Sequence, residues 1–213
     1  MNRPVRLTKQ AIADGAAELA GRDPALAKVL QAHGPPPLLR RPASLGTLVQ
    51  IILEQQVSVE SAKATYLRFR EACGTPIRPD AIVRLDVPGL RQLGFSRQKA
   101  RYTLALAHDC LEKRFRIQSL SRMNDEAVRE QIVARLGLGH WSADVFLMTA
   151  LLRPDVLPVG DLGLIKGIEE IDQTEYATPQ AVIERARSWR PLRSIATRMV
   201  WQWYVHGRGR DIF

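Results

Sequence analysis

Apolar residues recur at spacings of three and four along most of the chain, and no convincing stretch alternates with period two. The pattern predicts helices throughout. Thr8 can cap a first helix running to about Leu19, with Gly21 just beyond it, and Asp23-Pro24 opens a second. Gly34-Pro35-Pro36-Pro37 is rigid, irregular chain, and the piece before it is too small to hold a core alone. Ser44 precedes Leu45, Leu48, Val49, Ile52 and Leu53, the spacing of a helix with one buried face. Ser58 can cap a helix reaching Cys73-Gly74. Pro88 to Gly94 reads as a short helix between breakers, and Ser96 opens a longer one through Leu111. Asn124 or Asp125 starts a helix through Val133 that Gly137 and Gly139 stop. Trp141 to Leu152 is apolar on most sides and therefore central. Asp161 precedes a short helix, Thr178-Pro179 opens another, and Pro191 starts the last, ending near His206-Gly207. The fold class is all-α, with about ten short helices.

Composition narrows the partners. Among 213 residues, Lys+Arg 31 against Asp+Glu 22 leaves a charge of +9, which favours a polyanionic partner through counterion release. Arginine supplies most of the positive charge without forming a block of five or more. A GC-rich genome gives the same bias, so charge alone leaves the question open. Two cysteines, Cys73 and Cys110, are too few for a disulfide framework, a four-cysteine zinc site or a four-cysteine iron–sulfur cluster. No apolar run approaches the roughly 20 residues of a membrane helix, and the Met1-Asn2-Arg3 start has no apolar segment behind it. A soluble protein of a reducing, intracellular compartment is expected. His33, His108, His140 and His206 show no metal-ligand spacing.

Two short segments carry candidate chemistry. Leu136-Gly137-Leu138-Gly139-His140-Trp141-Ser142-Ala143 places two glycines between two helices, where a phosphate can approach the backbone and the next helix aims its free N–H groups. A plain helix–helix corner uses the same pattern. Downstream, Leu157-Pro158-Val159-Gly160-Asp161-Leu162-Gly163-Leu164 sets one carboxylate in an apolar run at a helix start. Taken alone it reads first as a buried helix cap, with an active-site acid held rigidly on a helix end as the alternative. Asp144, one turn into the helix after the glycines, is expected to make a local polar contact.

Together these segments resemble the helix-hairpin-helix (HhH-GPD) DNA glycosylases of base-excision repair. Leu53-Glu54-Gln55-Gln56-Val57-Ser58, Leu93-Gly94-Phe95-Ser96-Arg97-Gln98-Lys99-Ala100 and Trp189-Arg190-Pro191-Leu192-Arg193-Ser194-Ile195-Ala196 are similar to segments of the 3-methyladenine DNA glycosylase II branch, in the same order. The resemblance implies two helical lobes with the active-site cleft between them. One is expected to span about 44–150 with the 136–143 hairpin, the other about 1–43 together with 151–213, and no N-terminal β-domain is expected. It implies Asp161 as the catalytic carboxylate and Trp141 and Trp201 as aromatic walls of the base pocket. The resemblance also implies that the amides of Gly137 and Gly139 hold a phosphate and that their carbonyls share a monovalent cation. His140 is a candidate phosphate contact, and Gln56 falls where, in the family it resembles, a side chain wedges into the gap left by an extruded nucleotide. Val145 and Leu162 fall where a relative carries tyrosines, and Leu136 replaces the usual proline.

The implied activity is hydrolysis of the N-glycosidic bond of alkylated, cationic purines such as 3-methyladenine in double-stranded DNA. Relatives that also cut the strand use a lysine two residues after the second hairpin glycine; here that residue is Trp141, so a monofunctional enzyme is expected. No cofactor, no membrane association and a monomer are expected, and with a cysteine-free tail from Gly207 to Phe213 the iron–sulfur cluster of some relatives is not expected. A non-catalytic hairpin module binding damaged or bent DNA remains the alternative.

Overall fold

The computed structural model describes residues 4–209, so the start and the last four residues of the tail considered above lie outside the described residues. The described chain is helical without a strand: α1 (Lys9–Arg22), α2 (Pro24–His33), α3 (Leu45–Glu54), α4 (Val59–Cys73), α5 (Pro79–Gln92), α6 (Arg97–Leu111), α7 (Asp125–Val133), α8 (His140–Thr149), α9 (Leu162–Asp172), α10 (Pro179–Arg185) and α11 (Arg193–His206). Two 3-10 turns, Ile117–Arg122 and Ala186–Trp189, complete it. No described helix is long and apolar enough to cross a membrane.

Side-chain caps start most of these helices. Thr8, Asp23, Ser44, Ser58, Ser96, Asn124, Asp161 and Thr178 each accept a backbone N–H from the first turn of the helix that follows. Each such cap contributes about 1 kcal/mol. Departures from the expected helices occur where no such cap exists. α5 starts at Pro79 behind Arg78, which makes no capping bond, and it breaks at Asp86 (φ 53°), whose Oδ1 accepts from Gly89 N. The expected 88–94 helix is only its second half. α8 ends at Thr149, three residues early, and Leu152 adopts φ 57°. The last helix begins at Arg193, not Pro191.

The chain separates into two compact units, Arg41–Phe146 and Val5–Arg40 with the chain from Leu147 onward; the division falls inside α8. In the first, α3 is buried along nearly its whole length, and Phe69, Ile82, Leu90, Leu106 and Phe146 are buried in the same unit. In the second, Leu19, Leu26, Leu164, Ile168, Trp189, Met199 and Val200 form one apolar cluster.

Two buried polar devices stiffen the second unit. Asp23 caps α2 while accepting Arg185 through both oxygens (2.7 and 3.2 Å) and Trp189 Nε1 (2.7 Å). Burial alone raises the Asp23 carboxyl, but the Arg185 and Trp189 hydrogen bonds hold it below its ordinary range. Arg198 is fully buried and donates to three carbonyls, of Ser194, Met148 and Leu38. Burial brings its guanidinium down to about 10, so it stays charged at neutral pH.

His33, at the end of α2, meets His206, at the end of α11, Nδ1 to Nδ1 at 3.1 Å. Burial and then the charge of His206 lower the His33 imidazole below its ordinary value. A histidine depressed in the folded state stabilises above its unfolded value, near 6.5, and loses that contribution as pH falls through the folded value. Urea midpoints are therefore expected to drop between pH 7.5 and 5, and His33→Asn should flatten that slope. An unchanged slope in the variant contradicts the assignment.

Candidate active site and nucleic-acid interface

In the second unit, the turn before α9 delivers one acid. Asp161 N donates to Pro158 O at 2.8 Å, closing the turn, and the Asp161 side chain folds back onto the helix start. Its Oδ1 accepts from Leu164 N at 2.7 Å and from Trp201 Nε1 at 2.9 Å. The carboxylate is half-buried, at a helix N-terminus whose dipole favours negative charge. Asp161 is thus a helix cap and an orientated carboxylate at once. The two expectations for it are not exclusive.

The path of the preceding loop explains the Trp189–Ala196 segment. Arg193 grips Asp155 through Nε to Oδ1 (2.7 Å) and Nη2 to Oδ2 (2.9 Å), and Ser194 N donates to Pro154 O. Ser194 Oγ accepts from Val156 N at 2.9 Å and donates to Val156 O at 3.3 Å. Burial raises the Asp155 carboxyl, but its Arg193 bonds win and hold it low. These contacts anchor 154–156, five residues ahead of Asp161. Helices α9 and α11 then approach closely because Gly167 has no side chain; a Cβ there lies 2.5 Å from Val200 Cγ1 and 3.1 Å from Val200 O. That approach brings Trp201 to Asp161.

In the first unit, the hairpin joins α7 to α8. Gly137 has φ 81°, and a Cβ on it lies 2.1 Å from the Tyr102 ring, so both its conformation and its neighbour require glycine. Gly139 is exposed with open space around it, and exposed His140 is the first residue of α8. A shallow hollow lined by Val133–Gly139 marks the turn, and Leu136 is 56% exposed. Both hairpin carbonyls already accept one hydrogen bond, Gly137 O from Gln55 Nε2 (2.8 Å) and Gly139 O from Ala143 N (3.1 Å). Trp141 is half-buried and Val145 buried, whereas Leu162, beside Asp161 in the other unit, is 68% exposed. Arg129 Nε donates to Asp144 Oδ1 at 2.8 Å, tying α7 to α8 as the local contact expected for Asp144.

Gln56 is exposed at a left-handed φ of 56°. Gln55, beside it, had no assignment from sequence; its amide spans Gly137 O and Ser142 Oγ (3.2 Å). Lys99 donates from Nζ to Leu53 O (2.7 Å) and Gln55 O (2.8 Å), and burial lowers its ammonium below the ordinary lysine value. The only sequence signal for both was membership of the Gln55-Gln56-Val57-Ser58 and Leu93–Ala100 segments.

Known proteins share this architecture. A Bacillus halodurans DNA-3-methyladenine glycosidase matches with TM-score 0.76 and 27% identity over 93% of this chain and 92% of that one. YfjP of Bacillus subtilis is 27% identical over 185 residues, and a Bacillus subtilis DNA-3-methyladenine glycosylase is 24% identical over 163. The matches cover 83% and 71% of this chain, but only 64% and 54% of those relatives' length. The HhH-GPD superfamily base excision DNA repair protein model matches residues 49–191, which hold the hairpin, Asp161 and the loop that leads to it. By that match, the chain belongs to the HhH-GPD superfamily of base excision DNA repair proteins.

Proposed function

We propose that the chain is a monofunctional DNA glycosylase that extrudes alkylated, cationic purines such as 3-methyladenine from double-stranded DNA and hydrolyses their N-glycosidic bond. The observation that carries this reading is the Asp161 carboxylate, set on a helix end and orientated by Trp201 Nε1. A purine alkylated at N3 or N7 is a cation and a good leaving group, so departure needs no strong general acid. What it needs is a negative charge facing the oxocarbenium-like sugar and an orientated water. Asp161 supplies both: its charge stabilises the sugar cation, and it takes the proton of the attacking water. The base leaves with the bond electrons, which neutralise its positive charge.

Trp201 offers a π-face to such a base, and cation–π attraction contributes about 0.5–2 kcal/mol. Trp141 is proposed to serve the same base. Gly137, Gly139 and His140 are proposed to hold a backbone phosphate, which positions DNA without reading its sequence. A monovalent cation at the Gly137 and Gly139 carbonyls would use the acceptor capacity left beside their present hydrogen bonds. Gln56 is proposed to fill the space of the extruded nucleotide.

Chromatography of bases released from methylated duplex DNA tests the reading; release of 3-methyladenine or another alkylbase above an Asp161→Asn control supports it, and no release rejects it. Strand cleavage is excluded from the proposal, because Trp141 occupies the position where a lysine amine would form the Schiff base. Borohydride treatment during turnover is expected to trap no protein–DNA adduct. A trapped adduct would overturn the monofunctional assignment.

A further inference from the structure

The chain leading into Gln56 is held by four side-chain hydrogen bonds, two from Lys99 and two from Gln55. Lys99 Nζ bridges the carbonyls of Leu53 and Gln55, closing the end of α3 against α6. The Gln55 side chain bridges Gly137 O and Ser142 Oγ, the hairpin carbonyl and the first turn of the helix that follows it. Directly after these clamps the backbone carries Gln56 at φ 56°, a conformation that a non-glycine residue keeps only when its surroundings enforce it. From the same helix as Lys99, three residues on and so on the same face, Tyr102 packs its ring against Gly137. One face of α6 therefore supports both the Gln56 loop and the hairpin, and Gln55 joins the two directly.

We propose that Gln55, braced by Lys99, is a positioning residue that couples the Gln56 loop to the hairpin, so that seating a DNA phosphate on the hairpin also sets Gln56 at the height of the base stack. The inference rests on the glycosylase reading and on Gln56 as the inserted side chain. It adds that insertion depends on an amide that touches neither base nor sugar. Gln55 donates to Gly137 O and leaves the backbone N–H groups of the turn to the phosphate. A side chain without that amide leaves the hairpin, still backed by Tyr102, with its phosphate grip, but frees the loop to relax away from φ 56°.

The test uses two duplexes. One is undamaged; the other holds a tetrahydrofuran abasic analogue with 2-aminopurine as the neighbouring base, whose fluorescence changes when a side chain enters the gap. Gln55→Leu and Lys99→Met are each expected to bind the undamaged duplex within about 2-fold of wild type. Both should lose about 10-fold or more in affinity for the abasic duplex, together with most of the fluorescence change. A merely structural role weakens both duplexes alike. Wild-type fluorescence and abasic affinity in both variants overturn the inference, as do equal losses on the two duplexes. Base release by the wild-type protein is measured alongside, so a failed coupling is distinguished from a protein that is no glycosylase.

Discussion

Asp161→Asn is expected to lower single-turnover release of alkylbases by about 10³-fold while leaving the melting temperature within a few degrees of wild type. The two halves of that result have separate causes. Asparagine caps helices about as well as aspartate, and its carbonyl oxygen can accept from Leu164 N and Trp201 Nε1 as the carboxylate does. The fold at the start of α9 is therefore kept. The amide has no negative charge to face a sugar cation and cannot take a proton from water, so the chemistry is lost. A fall in activity with a matching fall in stability would instead make Asp161 a cap alone, and activity near that of wild type would remove it from the reaction.

Gly137→Ala carries the second large effect. The residue sits at φ 81°, where a Cβ costs about 1–2 kcal/mol, and that Cβ would lie 2.1 Å from the Tyr102 ring, where crowding costs about 1–3 kcal/mol more. A loss of roughly 2–5 kcal/mol in urea denaturation is expected, with weakened binding to duplex DNA of any sequence. The two contributions separate in a double-variant cycle. In a Tyr102→Ala background the crowding is gone, so Gly137→Ala should cost only the conformational part, about 1–2 kcal/mol. An undiminished cost in that background contradicts the packing account.

Helix starts were the most legible part of this chain, because each is written locally. Thr8, Ser44, Ser58, Ser96 and Thr178 are short polar side chains directly ahead of an apolar period, and each bonds the turn beside it. Where the start is made by backbone alone, as behind Arg78 or Leu192, the local signal is missing and the expected boundary shifts. Candidate site residues divide the same way. Gly137 and Asp161 stand out because their types are uncommon in their surroundings. Gln55 and Lys99 do not, since a glutamine beside a glutamine and a lysine on a charged helix carry no local mark. Their partners lie 82 and 46 residues away, and only folding reveals them.

The bond between Trp201 Nε1 and Asp161 Oδ1 also makes the acid optically visible. An indole whose N–H points at an ionised oxygen emits according to that oxygen's charge. The difference between the emission spectra of wild type and Trp201→Phe isolates this one chromophore from Trp141, Trp189 and Trp203. Followed as a function of pH, that difference reports ionisation of Asp161 without substrate, DNA or turnover. The protonation state of the proposed catalytic group thus becomes a quantity read in a cuvette.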